Sequence, residues 1–367
     1  MKRRGLVHVA ASVISIMIGL LCGYILLVIF NPGASTNGLV NILTTGLRNS
    51  EKFAKVLYTT APLLMTGLAV GFAFKTGLFN IGASGQYTIG AFCALVMAVQ
   101  FQQPWYVCIP AAMVGGALWG AIPGIFKAFF NVNEVITAIM FNWIGLFMVN
   151  LTLNNMPMML ANYWRAPYKN KTPALAAANK EAILPKLGLD ELMGSDYINI
   201  GIFIAIFFAI IVWIILSRTT FGYELKACGN NRNASEYAGI NAKKNIVLSM
   251  MISGALAGVG GALYYLSGTA QYVIEKTLLG MGFNGIPVAL LATSNPIGTI
   301  FSAMFVSYIQ VGGDALQPEF AKEIIDIIIA VIIYLSAFSL LMREIIVRVS
   351  GKLRRRTAEA GKEADEK

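Results

Sequence analysis

Amide and aromatic side chains interrupt the apolar sequence at two places, one in each half of the chain. The first is the glycine-rich segment Gly77–Gly90, GLFNIGASGQYTIG, and the second is Gly280–Gly298, GMGFNGIPVALLATSNPIG. Each joins an asparagine to a phenylalanine; these residues are Phe79, Asn80, Phe283 and Asn284. Broken hydrophobic segments at matching positions of two halves are typical of a transport site, so the chemistry indicated is non-covalent recognition. The alternative is that both are ordinary turns between helices.

A third polar interruption is the basic loop at residues 217–244, SRTTFGYELKACGNNRNASEYAGINAKK. Its charged residues are Arg218, Lys226, Arg232, Lys243 and Lys244 against Glu224 and Glu236. An excess of Lys and Arg places such a loop on the cytoplasmic side of a membrane. Its middle, Glu224–Tyr237, predicts a short helix at the membrane surface, bounded by Gly222 and Gly239, on which a cytosolic partner acts. The alternative is a plain connecting loop.

Residues with the chemistry of catalysis or metal binding are scarce. His8 is the single histidine, and the four cysteines, at 22, 93, 108 and 228, have no metal-ligand spacing. They are predicted to be buried structural thiols. The P-loop pattern G-x-x-x-x-G-K-[ST] does not occur, so the chain is not expected to bind ATP through a P-loop of its own. We therefore predict no catalytic residue, no metal and no cofactor.

Composition assigns the chain to the polytopic membrane proteins. Apolar residues make up 57% of it and charged residues 13%, against about 25% charged in soluble domains. The net charge of +10 is explained by membrane topology, so we predict no nucleic-acid partner. The hydrophobic pattern predicts an all-α protein with about ten spans: Leu6–Phe30, Val56–Phe74, Gln86–Phe101, Trp105–Ala128, Val135–Leu153, Ile198–Leu216, Ile246–Leu266, Met281–Leu291, Gly298–Val311 and Ile324–Leu341.

The eighth and ninth spans are too short to cross a membrane as straight helices. They are expected to be half-helices that meet an irregular segment, which membranes tolerate only inside protein or beside water. Two quasi-repeated halves with broken helices follow from this pattern.

Charge distribution places both termini in the cytoplasm. An even number of spans puts the termini on one side, and Lys2-Arg3-Arg4 and the Arg354–Arg356 tail make that side the cytoplasmic one. The first apolar run is too long for a signal peptide and is read as a retained span. We expect a membrane domain at 1–349 and a charged, disordered tail at 350–367. The 154–197 loop lies outside as a cap, with a short helix near Pro173–Glu181.

Small residues four apart predict close helix packing. The pairs are Gly67/Gly71, Gly116/Gly120/Gly124 and Gly254/Gly258. They let helix backbones approach one another but say nothing about a substrate.

Three ordered segments resemble one large family. They are FKTGLFNIGASGQYTIGA, ACGNNRNASEYAGINAKK and GFNGIPVALLATSNPIG, and the likeness extends from about Val56 to Leu341. The family comprises the permease subunits of ABC importers for branched-chain amino acids, simple sugars and nucleosides. FNIGASGQ followed by GFNGIPVALL most resembles the nucleoside branch, which works with a lipid-anchored nucleoside-binding protein. The family more often has an acidic residue where this chain has Ser84, which puts a carboxylate role there in doubt.

The resemblance implies a division of labour among subunits in the bacterial plasma membrane. The permease forms half of a pathway through the lipid bilayer, and a second permease, identical or homologous, forms the other half. Two cytosolic ATP-binding subunits hydrolyse ATP, and an extracytoplasmic lipoprotein delivers the substrate. By this resemblance the 217–244 loop transmits the movement of the ATP-binding subunits to the membrane domain, with Glu224–Tyr237 as the coupling helix. Its implied coupling residues are Glu224, Gly229, Asn230, Glu236 and Gly239, with Gly229-Asn230 and Gly239 shaping its turns.

A nucleoside substrate presents a flat neutral base and a hydroxyl-rich sugar. Its pathway needs aromatic surfaces and amides rather than strong charge. The candidates of that chemistry are Phe79, Asn80, Gln86, Phe141, Asn142, Trp143, Phe283 and Asn284. Since an amide facing lipid would lack hydrogen-bond partners, Asn80, Gln86, Asn142 and Asn284 are expected to face a central cavity.

Three alternatives remain open on the sequence. A sugar permease of the ribose or galactose type belongs to the same family. A secondary transporter would need a buried carboxylate, for which Glu134 and Asp326 are the nearest candidates, although both lie near span ends. A membrane scaffold without transport should lack matched glycine-broken polar segments.

Overall fold

The computed structural model of the chain describes residues 2–336 and 338. In these residues the α-helices are α1 Lys2–Phe30, α2 Ser35–Arg48, α3 Ser50–Lys75, α4 Ala83–Leu95, α5 Trp105–Phe130, α6 Glu134–Asn154, α7 Leu175–Ala178, α8 Leu189–Met193, α9 Gly201–Arg218, α10 Thr220–Asn230, α11 Arg232–Tyr237, α12 Ala242–Tyr265, α13 Gly280–Leu291, α14 Pro296–Asp314 and α15 Lys322–Ser336. A π-helical turn, Val96–Gln100, extends α4, and 3-10 turns occur at Pro157–Met159, Ala161–Trp164 and Lys180–Ala182. Extended pairing among the described residues is limited to one isolated bridge, Lys171 with Val273.

The larger of two compact units, residues 44–311, is built on three helices: α3, α5 and α12. Small residues bring α5 and α12 into backbone contact. A Cβ atom on Gly116 would lie 2.3 Å from the Gly254 carbonyl oxygen, and one on Gly258 would lie 2.4 Å from the Ala112 carbonyl oxygen. The helices can approach this closely only because these positions lack side chains. The packing role predicted for the glycine pairs is thus confirmed for α5 and α12.

The other unit consists of residues 1–43 and 312–367, of which α1, α15, most of α2 and the end of α14 are described. Gly23 of α1 faces Ile332 of α15, whose side chain would lie 2.6 Å from an added Cβ atom. The opposite side of α1 exposes apolar side chains such as Met17, Leu21 and Ile29. An exposed apolar helix side suits a lipid environment.

Six helices in the described residues are long and apolar enough to cross a membrane. They are Val13–Phe30, Ser50–Lys75, Trp105–Phe130, Glu134–Asn154, Gly201–Arg218 and Ala242–Tyr265, with Gly280–Leu291 as a shorter apolar helix. These six correspond to the first, second and fourth to seventh predicted spans. The all-helical membrane class is therefore confirmed, while the count of ten and the position of the termini stay predictions.

Of the remaining predicted spans, the eighth agrees with α13, and the third, ninth and tenth differ from the helices found. The third, Gln86–Phe101, is α4 followed by the π-helical turn. The ninth was expected to be a half-helix, and this was wrong, because α14 is one continuous helix of 19 residues from Pro296 to Asp314. The tenth is described only to Ser336, and the predicted tail at 350–367 lies outside the described residues. Helix α2 falls in none of the predicted spans, because its apolar residues alternate with Thr and Asn over only 14 positions.

The 154–197 loop packs against the chain that follows α12 and against the π-helical turn after α4. The Leu184 amide donates to the Leu266 carbonyl at 2.9 Å, and the Asn179 side chain donates to the Ala98 carbonyl at 2.9 Å. Its predicted short helix is present as α7, one turn long. An exposed ion pair joins Lys186 to Asp196 at 2.5 Å; the carboxylate raises the pKa of Lys186, and the ammonium group lowers the pKa of Asp196.

The single helix predicted at Glu224–Tyr237 is two helices, and this expectation was wrong. Helix α10 begins at Thr220, where the Thr219 hydroxyl caps it by accepting from the Gly222 amide at 3.0 Å. The chain breaks at Asn231, whose side chain accepts from the Ala234 amide at 3.0 Å and so starts α11. Gly222 lies inside α10 rather than before the helix.

Candidate functional site

Helices α4 and α13 meet at their first turns inside the bundle. An added Cβ atom on Gly282 of α13 would lie 2.3 Å from the Cα atom of Ser84, and the Ser84 hydroxyl donates to the Leu279 carbonyl at 2.8 Å. Gly285 packs on Thr66, which lies nine residues, or about 14 Å, from the Lys75 end of α3. Helix α13 therefore begins near the middle of α3, as expected of a half-helix.

The chain that leads into α4 is held by a buried amide network. Asn80 donates to the Gln86 side chain and to the Ser253 hydroxyl, both at 2.7 Å, and Gln86 donates back to Asn80 at 3.2 Å. The Ser253 hydroxyl in turn donates to the Ala69 carbonyl at 2.6 Å. Residues 77–82 are thereby tied to α3, α4 and α12 in place of helical hydrogen bonds.

Asn142 of α6 holds residues 77–82, the break between α3 and α4, from the other side. Its side-chain oxygen accepts from the Gly85 amide at 2.8 Å, and its nitrogen donates to the Ile81 carbonyl at 3.1 Å. The Gly85 amide lies in the first turn of α4, where amides have no partner within the helix. Asn142 thus acts as an external cap for α4.

These three amides are buried, and their hydrogen bonds go to protein rather than to an open cavity. Asn80 is 0% exposed, and Gln86 and Asn142 are each 1% exposed. In this conformation the structure assigns them to holding the broken segment. Contact between these amides and a substrate stays a prediction that requires the break to open.

The predicted aromatic residues do not form one surface. Phe79 is half-buried and stacks on Phe74 with ring centroids 5.2 Å apart. Trp143 is 41% exposed and stacks on Phe147 at 6.0 Å, on the side of α6 turned away from the core. Consecutive residues of a helix point about 100° apart, so the inward position of Asn142 turns Trp143 outward.

The second asparagine-phenylalanine pair lies on the open side of α13. Gly282, Gly285 and Val288 of this helix are buried, whereas Phe283 and Asn284 are half-buried. Beside them, an added Cβ atom on Gly280 would meet nothing within 4 Å. Within the described part of the chain the Asn284 amide has no hydrogen bond, so this residue differs from the other three amides.

The predicted coupling residues occupy different environments. Glu224 accepts a hydrogen bond from Asn245 of α12 at 3.3 Å, so it anchors α10 to the bundle. Glu236 is exposed and pairs with Arg232 at 3.0 Å. Gly239 ends this region with a φ of +82° and nothing within 4 Å of an added Cβ atom. Asn230, the last residue of α10, is exposed.

Gly229 brings the 217–244 loop into close backbone contact with the start of the broken segment. An added Cβ atom on Gly229 would lie 2.5 Å from the Thr76 carbonyl carbon, and one on Gly77 would lie 2.4 Å from the Cα atom of Gly229. Gly77 also has a φ of +75°, which favours glycine. The main role of Gly229 is therefore close approach. The turn after it is formed at Asn231.

Several residues of this site were not predicted from the sequence. Ser249 bonds the Thr76 hydroxyl, and Ser253 bonds Asn80; the two serines are four residues apart on one side of α12. A polar pair at helical spacing in an apolar span was the available signal. Asn150 of α6 donates to the Glu275 carbonyl at 2.7 Å and accepts from the Tyr272 hydroxyl at 3.3 Å. Burial raises the pKa of the Tyr272 hydroxyl, which keeps it a donor.

The carboxylates considered for ion coupling have the environments of ordinary ionised groups. Glu134 pairs with Lys127 at 2.9 Å where α5 and α6 are joined, and Asp326 is exposed on α15. Among the described residues, no group of three or more His, Cys, Asp or Glu is placed to hold a metal ion.

Comparison with protein families matches residues 52–337 to "Branched-chain amino acid transport system / permease component". The chain is 35% identical over 359 residues to the guanosine ABC transporter permease protein NupP of Bacillus subtilis, covering 96% of this chain and 98% of the relative. It is 36% identical over 337 residues to the nucleoside ABC transporter permease protein NupB of Lactococcus lactis, covering 90% of each chain. It is 31% identical over 267 residues to the guanosine ABC transporter permease protein NupQ of Bacillus subtilis, covering 69% of this chain and 79% of the relative.

No solved structure matches the chain. The family match covers both broken segments and the 217–244 loop, and the apolar helices agree with a multi-pass protein of the bacterial plasma membrane. As a permease component the chain is a transport subunit rather than a catalytic one. The chain belongs to the family of branched-chain amino acid transport system permease components.

Proposed function

We propose that this chain is the permease subunit of an ABC importer and that it forms the translocation pathway for nucleosides. The observation that carries the proposal is its likeness, over 90% or more of the chain, to relatives named as guanosine and nucleoside permeases. The site chemistry agrees with a neutral solute, because amides, hydroxyls and aromatic rings surround the break. Glu134, one of the carboxylates considered for coupling, is paired with Lys127.

The full topology is part of this proposal. Ten crossings with both termini in the cytoplasm require α4 with its π-helical turn, α13, α14 and α15 to complete the six long helices. The meeting of α4 and α13 supports two related halves, because each half then contributes one broken helix to a shared centre. The same topology places the 154–197 loop outside and the 217–244 loop inside.

The pathway residues in this proposal fall into two groups. Phe283 and Asn284, on the open side of α13, are proposed to contact substrate. Phe79 and Trp143 join them only if the break or the second permease rearranges. Asn80, Gln86 and Asn142 hold the break and reach substrate only when it opens. An asparagine left without partners in lipid would cost roughly 2–7 kcal/mol, which supports a polar route beside Asn284.

The 217–244 loop is the proposed docking site for cytosolic ATP-binding subunits. Glu236 and Tyr237 of α11 are exposed, the Tyr237 side chain by 95%, and Arg232, which pairs with Glu236, is partly exposed. Glu224 fixes α10 to α12, and Gly229 presses on the broken segment. A push on this loop would therefore reach residues 76–84 through direct backbone contact.

Two further partners complete the proposed importer. A second permease forms the other half of the pathway, and likeness to both NupP and NupQ of one organism supports a homologue in that place. An extracytoplasmic substrate-binding lipoprotein delivers the nucleoside to the face of the 154–197 loop.

Uptake by vesicles that contain the purified complex tests the function. The proposal predicts uptake of labelled guanosine that requires ATP inside the vesicle and the ATP-binding subunits. Loss of uptake on adding an ionophore, with ATP still present, would select an ion-coupled carrier instead. Absence of uptake under every condition would leave a scaffold without transport, and uptake of ribose or galactose in place of guanosine would select the sugar permease.

A further inference from the structure

Residues 267–279 carry the chain from α12 to α13 without forming a helix. Near their start, the Tyr272 carbonyl accepts from the Thr172 amide at 2.9 Å, which fixes this part to the 154–197 loop. At their end, the Leu279 carbonyl accepts from the Ser84 hydroxyl at 2.8 Å, in the first turn of α4. The segment therefore leads from the loop to the place where α4 and α13 meet.

Asn150 of α6 marks where the segment enters the bundle. Its side chain donates to the Glu275 carbonyl at 2.7 Å, and it lies four residues, or about 6 Å, before the end of α6 at Asn154. Residues after Glu275 therefore lie deeper in the bundle than Asn150. They lead to α13, which begins near the middle of α3.

Residues 275–280, EKTLLG, begin with three polar residues, and the two leucines that follow are half-buried. Glu275, Lys276, Thr277 and Gly280 are all exposed, and the space beside Gly280 is open to 4 Å. Irregular backbone and charged side chains do not face lipid within a bilayer, because their polar groups would lack partners. This side of the segment must face water or another protein chain.

The exposed side of residues 275–280 continues onto one face of α13. Gly280, Phe283 and Asn284 follow at spacings of three and four residues, so they share a helix face, which is the face not packed on α3 and α4. An accessible surface that runs from the loop to the bundle interior and carries Thr277 and Asn284 is what a solute route needs, whereas a contact with a second permease needs no such continuity.

We propose, on the basis of the proposed function, that residues 275–280 form the outer wall of the substrate pathway. The Thr277 hydroxyl and the Asn284 amide bind hydroxyl groups of a neutral, polyhydroxylated solute such as the sugar of a nucleoside. Thr277 donates to the Glu275 carboxylate at 3.1 Å, which leaves its oxygen free to accept from a solute hydroxyl. Glu275 and Lys276 carry opposite charges, so the entrance as a whole stays neutral.

Thiol labelling of the intact complex in vesicles tests the wall. Single cysteines are introduced as Thr277→Cys, Gly280→Cys and Asn284→Cys after the four native cysteines are replaced, with Phe207→Cys on the exposed apolar side of α9 as the matched control. The proposal predicts that a charged, water-soluble thiol reagent labels the first three and not the control, and that guanosine slows labelling. Labelling only by a lipid-soluble reagent, or cross-linking of these positions to the second permease without access for the soluble reagent, would overturn it.

Transport kinetics test the substrate contacts. Thr277→Val removes the hydroxyl at nearly constant shape, and we expect a KM for guanosine raised about 3- to 10-fold. Thr277→Ser keeps the hydroxyl and should raise the KM less than Thr277→Val. Asn284→Leu should lower uptake at least as much as Thr277→Val. An unchanged KM in both Thr277→Val and Asn284→Leu would overturn the assignment.

The two proposals fail in distinguishable ways. If the wild-type complex takes up no nucleoside, the proposed function fails, and access of the soluble reagent to Thr277→Cys still decides whether residues 275–280 face water. If uptake is normal and these positions are inaccessible, the function stands and the wall is wrong.

Discussion

Gly77 and Gly229 form a contact whose perturbation should separate ATP hydrolysis from transport. In Gly77→Ala the new Cβ atom would lie 2.4 Å from the Gly229 Cα atom, and in Gly229→Ala it would lie 2.5 Å from the Thr76 carbonyl carbon. Ordinary van der Waals contact begins at 3.4 Å, so the two backbones must separate by roughly 1 Å. Such overpacking costs about 1–3 kcal/mol.

Gly77→Ala carries a second cost that Gly229→Ala does not. Its φ of +75° is unfavourable for alanine by about 1–2 kcal/mol. Gly188→Ala, in the 154–197 loop, has the same φ of +75° with nothing within 4 Å, so it is a matched control for backbone strain without close approach.

The assay measures ATP hydrolysis and guanosine uptake on the same vesicles. If α10 drives residues 76–84 through this contact, about 2 kcal/mol of distortion in one conformation shifts the conformational equilibrium by roughly 30-fold. We expect fewer nucleosides transported per ATP in Gly77→Ala and Gly229→Ala, and a wild-type ratio in Gly188→Ala. A wild-type ratio in the first two variants, or an equal loss in all three, would refute the contact as the route of coupling.

Three further predictions concern the elements that hold the site. Asn142→Leu leaves the Gly85 amide buried without its partner, so the free energy of unfolding should fall by about 1–3 kcal/mol; an unchanged melting temperature in detergent would contradict the capping role. Tyr272→Phe removes the hydroxyl that donates to Asn150 and should cost about 0.5–1.5 kcal/mol in the same measurement, whereas no loss would show that the bond contributes nothing. Asp196→Asn breaks the exposed pair with Lys186 and should leave the melting temperature unchanged, because solvent screens such a pair; a large drop would show that the 154–197 loop depends on it.

Much of the membrane architecture could be predicted from the sequence because it depends on local properties. Apolar runs of about 20 residues identify spans, and six of those predicted are found as long helices. The glycines of α5 and α12 were informative for the same reason, since small residues at helical spacing have few other uses in a span. Helix α2 was not predicted, because its polar residues interrupt the apolar run that would indicate a span.

The role of the polar residues could not be predicted from the same pattern. Asn80, Gln86 and Asn142 carry amide side chains as Asn284 does, yet the amides of the first three bond to protein, and that of Asn284 makes no hydrogen bond within the described residues. What separates them is the path of residues 77–82, and that path depends on Ser253 and Ala69, distant in sequence. Likewise, nothing local to Gly229 indicates that it packs on Gly77.

The central claim, a pathway for nucleosides, is tested most directly by competition for uptake. The complete complex in vesicles with internal ATP takes up labelled guanosine, and unlabelled uridine, ribose, galactose and leucine are added in turn. The account predicts that the nucleoside competes strongly and that the two sugars and the amino acid compete weakly or not at all. Uptake abolished by ribose, galactose or leucine but not by uridine would contradict it.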